Sequence, residues 1–230
     1  DDDDDDDDNE DKDDDEDDVN ESPTSVLVSG FGIDITRGDM SRMIDGEWLN
    51  DELINFYMEL IMKRAQAQDH LLPKIHIFNS FFYEKLYSNH RYNYKGVQRW
   101  TRRIDLFSKD KVLFPVHLGS HWCMACINFR DKRFEYYDSL GSKGHDCIKV
   151  MRQYVQDESL DKKKEAFDTS DWTSEQHCIV PRQQNGYDCG VFACMFAEYV
   201  SVDDEFDFGQ AHMLHMRRRM VLELMLKAVL

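Results

Sequence analysis

The stretch Gln183-Gln184-Asn185-Gly186-Tyr187-Asp188-Cys189-Gly190 leads directly into the apolar run VFACMFAEYV at 191–200. A glycine-bearing turn followed by an apolar run predicts a helix with Cys189 in its first turn. Unpaired N–H groups and the positive end of the helix dipole lower the pKa of a thiol placed there. The pattern therefore makes Cys189 a candidate nucleophile.

Two upstream segments supply possible partners for this cysteine. Gly119-Ser120-His121-Trp122 stands before an apolar run, and Tyr136-Tyr137-Asp138-Ser139 follows a hairpin-like turn. A histidine serves as base, and an acid orients it. Taken singly, these residues also fit a small core cysteine, a histidine satisfied at a strand end and a turn aspartate. The order His121, Asp138, Cys189, with a glutamine six residues before the cysteine, is more specific than any one member.

The sequence around these residues resembles the SUMO-specific cysteine proteases, also called ubiquitin-like-protein or sentrin-specific proteases. The similarity runs from about Ile33 to Leu230. It rests on ITRGDMSRMIDGEWLNDELINFYMELI, IFNSFFYEKL, RWTRRIDLFSKDKVLFPVHLGSHWCMACINF, RFEYYDSLG and PRQQNGYDCGVFACMFAEY. The resemblance implies a papain-like cysteine protease variant of the α+β class. Its central mixed sheet would be flanked by helices, with a triad in the order His-Asp-Cys.

The resemblance also implies roles for single residues. Cys189 would be the nucleophile, His121 the general base and acid, and Asp138 the residue that orients His121. Gln183 would donate to the oxyanion, together with the backbone N–H of Cys189. Losing Cys189 is expected to reduce the rate more than losing Gln183.

Substrate recognition follows from the same resemblance. Trp48 and Trp122 would form a narrow tunnel that admits a Gly-Gly tail, because glycine lacks a Cβ. Without the resemblance, Trp48 fits a hydrophobic residue at the start of a helix, and Trp122 fits a strand residue in the core. Asp51 and Arg99 resemble polar contacts to SUMO. The alternative for Asp51 is an acid that interacts favourably with a helix dipole, and the alternative for Arg99 is a member of a solvated basic run.

The acidic charge of the chain is concentrated at its start. Residues 1–18 hold 16 Asp and Glu against one Lys, a net of −15, which leaves −3 of the total −18 for the remainder. Such a segment repels itself and buries no apolar area, so we expect a disordered acidic leader at 1–22 and a catalytic domain at 23–230. The leader is expected to be a solvating tail, with a contact to basic proteins as the alternative.

Six cysteines are present, and Cys123-Met124-Ala125-Cys126 has half of a zinc-binding spacing. A structural zinc site needs four ligands, and no second pair follows, so we expect no metal and no cofactor. Reduced thiols fit a reducing compartment. The apolar runs are shorter than the roughly 18 residues of a membrane span, so no membrane insertion is expected.

The pattern of elements favours the α+β class. Asn50 is predicted to cap a helix over 51–65. Further helices are predicted over 79–87, over 149–158 on the surface, from Cys189 onward and over 209–230, with a charged connection at 161–171. Strands are predicted over 111–118, 122–129, 133–138 and near 177–181.

These observations predict a SUMO protease that matures precursors and cleaves isopeptide conjugates, with SUMO and SUMO-conjugated proteins as partners. The alternatives are a protease for another modifier such as NEDD8, an acyltransferase and a non-catalytic SUMO-binding module. The intact set of Cys189, His121, Asp138 and Gln183 argues against a pure binder. We expect an intracellular monomer without a nucleic-acid partner. The nucleus or nuclear envelope is the compartment that the resemblance implies, with the cytoplasm as the alternative.

Overall fold

The structure, a computed structural model, describes residues 22–176 and 180–230. A β-hairpin and a short helix come first, followed by the main sheet and the helices that cover it. The strands are β1 (Val26–Gly30), β2 (Ile33–Thr36), β3 (Ile75–Ile77), β4 (Tyr87–Ser88), β5 (Arg91–Tyr92), β6 (Lys111–His117), β7 (Trp122–Asn128), β8 (Arg133–Tyr137) and β9 (Thr173–Gln176). The helices are α1 (Arg37–Ser41), α2 (Asp51–Ala67), α3 (Phe81–Leu86), α4 (His145–Lys162), α5 (Cys189–Val202) and α6 (Met213–Leu226).

The central sheet has five strands in the order β3-β6-β7-β8-β9. The three middle strands form an antiparallel meander, whereas β3 pairs parallel with β6 and β9 pairs parallel with β8. Helices lie against this mixed sheet. The predicted α+β architecture, with a mixed central sheet flanked by helices, is confirmed.

Strand β7 lies at the centre of the core, and all seven of its residues are buried. Successive side chains of a strand point to opposite faces of the sheet. Trp122, Met124 and Cys126 therefore join the apolar cluster that contains α2 and α5. Cys123 and the β7 residues that share its face of the sheet join the second cluster, which lies under α3 and α4. The apolar clusters on both faces of β7 therefore hold in place the end of this strand that His121 precedes.

Helix α2 begins as predicted. The side chain of Asn50 accepts a hydrogen bond from the Leu53 N–H at 3.2 Å, which satisfies one of the N–H groups that a helix start leaves unpaired. The same side chain donates to Asp39 Oδ1 at 2.7 Å. Asn50 thereby ties the start of α2 to α1 and holds the segment that carries Trp48.

The structure contains elements that were not predicted, namely β1 to β5, α1 and β9, and two predicted helices differ in their extent. Helix α4 is longer than the predicted 149–158, and it is not a surface helix, because one side of it packs on β8. Its buried residues include Cys147, Met151 and Tyr154, which recur at helical spacing. The C-terminal helix proper begins at Met213, after a single 3₁₀ turn at Gln210–His212.

Two predictions fall on segments without structural description. The predicted strand near 177–181 lies largely outside the described residues, and β9 ends before it. The acidic leader at 1–22 also lies outside them, apart from its last residue. Among the helices of the described residues, none combines the length and apolarity needed to cross a bilayer.

Candidate active site

The hairpin β7–β8 brings His121 and Asp138 together. His121 directly precedes β7 and Asp138 directly follows β8, and in an antiparallel pair the start of one strand lies beside the end of the other. The Nε2 atom of His121 lies 2.7 Å from Oδ1 of Asp138. The structure thus joins two of the residues that the sequence analysis singled out.

The Asp138 carboxylate is held in its ionised form. Burial acts to raise its pKa, but hydrogen bonds from His121, Ser142 and Leu140 outweigh burial and hold the pKa below its ordinary value. The N–H groups of Leu140 and Ser142 donate to the two carboxylate oxygens at 2.8 and 3.0 Å. A carboxylate fixed by several donors keeps one orientation and one charge.

The imidazole of His121 is stabilised in its charged form. Its hydrogen bond with Asp138 is the main cause that raises its pKa to about 12, and the neighbouring thiols of Cys123 and Cys189 raise it further. Burial opposes this effect without cancelling it. At neutral pH a ring with such a pKa is an imidazolium, the form that can stabilise an adjacent anion and donate a proton.

Cys189 is the first residue of α5, as predicted. The next residue has to be small, because a Cβ at Gly190 would lie 2.9 Å from the Cβ of Leu49. Leu49 follows Trp48, so the close packing of Gly190 holds the first turn of α5 against the segment that carries this tryptophan. One contact therefore fixes the positions of both Cys189 and Trp48.

The loop before Cys189 is held by its own side chains. The Asn185 Oδ1 atom accepts from the N–H groups of Tyr187 and Asp188 at 3.1 and 3.0 Å, which forms an Asx turn. Gln183 Nε2 donates to the Asn185 carbonyl at 2.6 Å. This arrangement directs the chain into α5 and keeps the Gln183 amide buried beside it.

A buried arginine that the sequence analysis did not single out completes the support of this loop. Arg217 of α6 forms an ion pair with Asp188 at 2.8 Å, and neither side chain is exposed to solvent. Its guanidinium also donates to four backbone carbonyl groups. They belong to Arg42, Ile44, Glu47 and Tyr187. Arg217 therefore joins the turn before Trp48 to the loop before Cys189.

Trp48 and Trp122 line one cavity of about 380 Å³, and Asp51 lines it as well. Trp48 is 47% exposed, whereas Trp122 is 6% exposed and donates from Nε1 to the Leu49 carbonyl at 3.2 Å. His117 stacks on the Trp122 ring at 4.1 Å between ring centroids. Trp122 is thus a buried core residue that also lines the cavity. Its role in a Gly-Gly tunnel stays a prediction.

Arg99 is not among the residues that line this cavity. It is exposed, next to Trp100, which packs against Phe82 in the opposite layer of the core. The structure therefore brings Asp51, Trp48 and Trp122 together and leaves Arg99 outside the group.

Within the described residues, His121, Cys123 and Asp138 place ligand-type atoms within 4.8 Å of one another. A structural zinc site requires four ligands, and the His121 and Asp138 side chains already share a direct hydrogen bond. The geometry is that of an acid orienting an imidazole. The expectation that the chain uses no metal stays a prediction.

An imidazole oriented by a carboxylate, beside a cysteine at the start of a helix, is the arrangement that cysteine proteases use. The chain belongs to the Ulp1 protease family, since the profile of its C-terminal catalytic domain matches residues 47–229.

Individual relatives agree with this assignment. A sentrin-specific protease of Caenorhabditis elegans is 46% identical over 209 residues, which are 91% of this chain and 29% of that protein. Human sentrin-specific protease 2 is 41% identical over 202 residues, which are 87% of this chain and 33% of that protein. The chain thus spans about a third of the length of these two curated relatives.

Solved structures share the fold. The C-terminal Ulp1 protease domain in complex with Smt3, the yeast ortholog of SUMO, matches with a TM-score of 0.74 and 32% identity, and the match covers 92% of each chain. Ulp1 with its catalytic cysteine oxidised to a sulfenic acid matches with a TM-score of 0.76 and 31% identity over 90% of each chain.

Proposed function

We propose that this chain is a SUMO-specific cysteine protease that cleaves after the C-terminal Gly-Gly of SUMO, in lysine isopeptide conjugates and in SUMO precursors. The observation that carries the proposal is the 2.7 Å contact of His121 with Asp138, with Cys189 at the start of α5 among the neighbours that raise the His121 pKa. The names of the relatives and the Ulp1 complex with Smt3 support SUMO as the modifier.

The reaction begins with Cys189 as the thiolate and His121 as the imidazolium. The Cys189 sulfur attacks the carbonyl carbon of the terminal glycine, and the carbonyl oxygen takes the negative charge. His121 then gives its proton to the leaving amine, which departs as lysine or as the free amino terminus of the peptide extension. A thioester between Cys189 and glycine remains.

Hydrolysis of the thioester completes the cycle. Neutral His121 takes a proton from an entering water, whose oxygen attacks the thioester carbonyl. Collapse of this second tetrahedral intermediate releases the glycine carboxylate and the Cys189 thiolate. Asp138 keeps the imidazole in one orientation throughout and stabilises its positive form.

The developing oxyanion needs fixed donors. Gln183 and the backbone N–H of Cys189 are the donors we assign to it, because the first N–H groups of a helix have no partner within the helix. Removal of one such donor typically lowers kcat by about 10²–10³.

The cavity between Trp48 and Trp122 accounts for the Gly-Gly requirement. Two indole rings leave room for backbone without a Cβ and exclude larger residues, so selection would be steric. Asp51 lines the same cavity, which supports assigning it a contact with the modifier near its tail. We assign Arg99 to a more distant part of the docking surface.

We infer that the protein acts as a monomer inside the cell, in the nucleus or at the nuclear envelope. Human and worm relatives named as sentrin-specific proteases support an intracellular substrate. The leader carries a net charge of −15 within residues 1–18, which suits a solvating tail or a contact with basic proteins.

A panel of modifier probes tests the proposal. SUMO, NEDD8 and ubiquitin, each with a C-terminal electrophile, are incubated with the wild type and with Cys189→Ser. We expect covalent labelling by the SUMO probe, and none in the variant. Labelling at comparable rates by NEDD8 or ubiquitin but not by SUMO would refute the assigned substrate. Failure of all three probes would refute the protease assignment itself.

A further inference from the structure

We propose that Ser139 is a positioning residue that sets the orientation of the Gln183 amide for the oxyanion. The Ser139 Oγ donates to Gln183 Oε1 at 2.6 Å, and the Gln183 N–H donates to the Ser139 carbonyl at 3.1 Å. The two residues are 1% and 8% exposed, so water does not compete for these bonds. Ser139 thus holds both the backbone and the side chain of Gln183.

The direction of each hydrogen bond follows from the chemistry of the partners. A carbonyl oxygen only accepts, so the group that lies 2.6 Å from the Asn185 carbonyl has to be the Gln183 NH₂ group. The amide oxygen therefore faces Ser139, and the serine hydroxyl is the donor. One Gln183 N–H is used by Asn185, and the second is left for the substrate oxygen.

This orientation matters because an amide has two ends of opposite polarity. The terminal torsion of glutamine has a broad, roughly two-fold preference, so the side chain itself does not select one end. If the Ser139 hydroxyl is lost, the buried Oε1 loses its donor, and amide orientations that direct oxygen towards the substrate gain population. An oxygen at that place would repel the oxyanion instead of stabilising it.

Ser139 also occupies a particular place in the chain. It follows Asp138 directly, so one turn after β8 orients His121 through a carboxylate and Gln183 through a hydroxyl. Two consecutive residues therefore orient the side chain that transfers the proton and the side chain that stabilises the oxyanion. A change at Ser139 can act through Asp138 or through Gln183, so the experiment has to distinguish these two effects.

The inference rests on the proposed protease activity but not on the choice of SUMO, since the assay uses whichever modifier fusion the wild type cleaves. Ser139→Ala is expected to lower kcat roughly tenfold, less than the about 10²–10³ typical of losing an oxyanion donor, and to leave KM nearly unchanged. Ser139→Cys keeps a weaker donor of similar size and should retain intermediate activity. It also carries the test if Ser139→Ala does not fold.

A double-mutant cycle with Gln183→Ala gives the decisive readout. In the Gln183→Ala background, the Ser139 substitution should change kcat less than twofold, because the amide that it orients is absent. Ser159→Ala removes a buried serine whose Oγ donates to the Glu165 carbonyl at 2.9 Å, and this matched control should cleave at the wild-type rate. Equal losses from Ser139→Ala in both backgrounds would overturn the proposal.

Alkylation of Cys189 by iodoacetamide distinguishes an effect of Ser139 through Gln183 from an effect through Asp138. This reaction forms no oxyanion, so Ser139→Ala should react at the wild-type rate while its peptide cleavage falls. If alkylation falls by the same factor as cleavage, Ser139 acts through Asp138 and His121, and its assignment to Gln183 is wrong. A wild type that alkylates at Cys189 but cleaves no modifier fusion would refute the protease activity, and with it the positioning role assigned to Ser139.

Discussion

Arg217 Nε donates to Asp188 Oδ1 at 2.9 Å, and almost no solvent reaches either side chain. The two residues lie 29 positions apart, on α6 and at the start of α5. Burying two charges is costly, and the cost is offset only where every remaining donor finds a partner. Here the backbone carbonyls before Trp48 and Cys189 provide those partners.

Arg217→Met should lower the free energy of unfolding by about 3–5 kcal/mol, because it leaves the Asp188 charge buried and unpaired. Chemical denaturation measures the loss. Arg218→Met removes the exposed neighbouring arginine and should change stability by less than about 0.5 kcal/mol. Equal stability of the two variants would contradict the role of the buried pair.

Asp138→Asn should change the pH dependence of cleavage. The bond to Asp138 raises the His121 pKa to about 12, so the wild type keeps its imidazolium through neutral and alkaline pH. Without the carboxylate, the pKa should fall towards its ordinary value, and the variant then loses the imidazolium as pH rises through about 6.5. The ratio of variant to wild-type kcat/KM should therefore fall between about pH 6 and pH 9.

A pH–rate profile for both enzymes tests this expectation. Asp171→Asn removes an exposed aspartate that pairs with Lys132, and its profile should follow the wild type. Parallel profiles of Asp138→Asn and the wild type would show that Asp138 does not control the protonation of His121.

Trp48→Ala should reduce cleavage of a Gly-Gly substrate with a smaller loss of stability than Trp122→Ala, because about half of the Trp48 side chain is exposed. Trp122→Ala is a less clean test, since truncating a buried tryptophan typically costs about 3–5 kcal/mol. Phe31→Ala removes an exposed aromatic ring in the β1–β2 turn and serves as the control. Wild-type cleavage by Trp48→Ala would refute the steric tunnel.

The described thiols should differ sharply in reactivity. Burial raises the pKa of Cys123, Cys126, Cys147 and Cys194, which makes their thiolates rare at neutral pH. Brief treatment with iodoacetamide at pH 7 should therefore label Cys189 before these four. Peptide mapping by mass spectrometry assigns each label, including any on Cys178, which lies outside the described residues. Faster labelling of a buried cysteine would contradict the prediction.

Local patterns predicted much of the fold. The strands around β7 follow from runs of apolar residues joined by short turns, and the cap at Asn50 follows from its side-chain chemistry. The position of Cys189 at the start of α5 was predicted by the glycine-bearing turn and the apolar run after it. These features depend on neighbours in the chain, so one sequence contains them.

The support of the site depends on contacts between distant segments, and these were not predicted. Arg217 binds carbonyl groups more than 160 residues away, and any residue provides a carbonyl. One signal was present, because Met213, Met216, Arg217 and Met220 share the apolar spacing of α6. A charged residue on such a face indicates a buried partner. The roles assigned to Gln183, Trp48 and Asp51 rest on resemblance and placement and stay predictions.

The β7–β8 hairpin has a consequence for the order in which the enzyme acquires its parts during synthesis. His121 and Asp138 are joined by adjacent strands, so their pairing needs only a short length of chain to have left the ribosome. Cys189 follows much later, and the arginine that anchors its loop lies later still, on α6. The ion pair that anchors the loop before Cys189 can therefore form only after α6 has emerged. Any reactivity that depends on this anchored loop would appear only after that step.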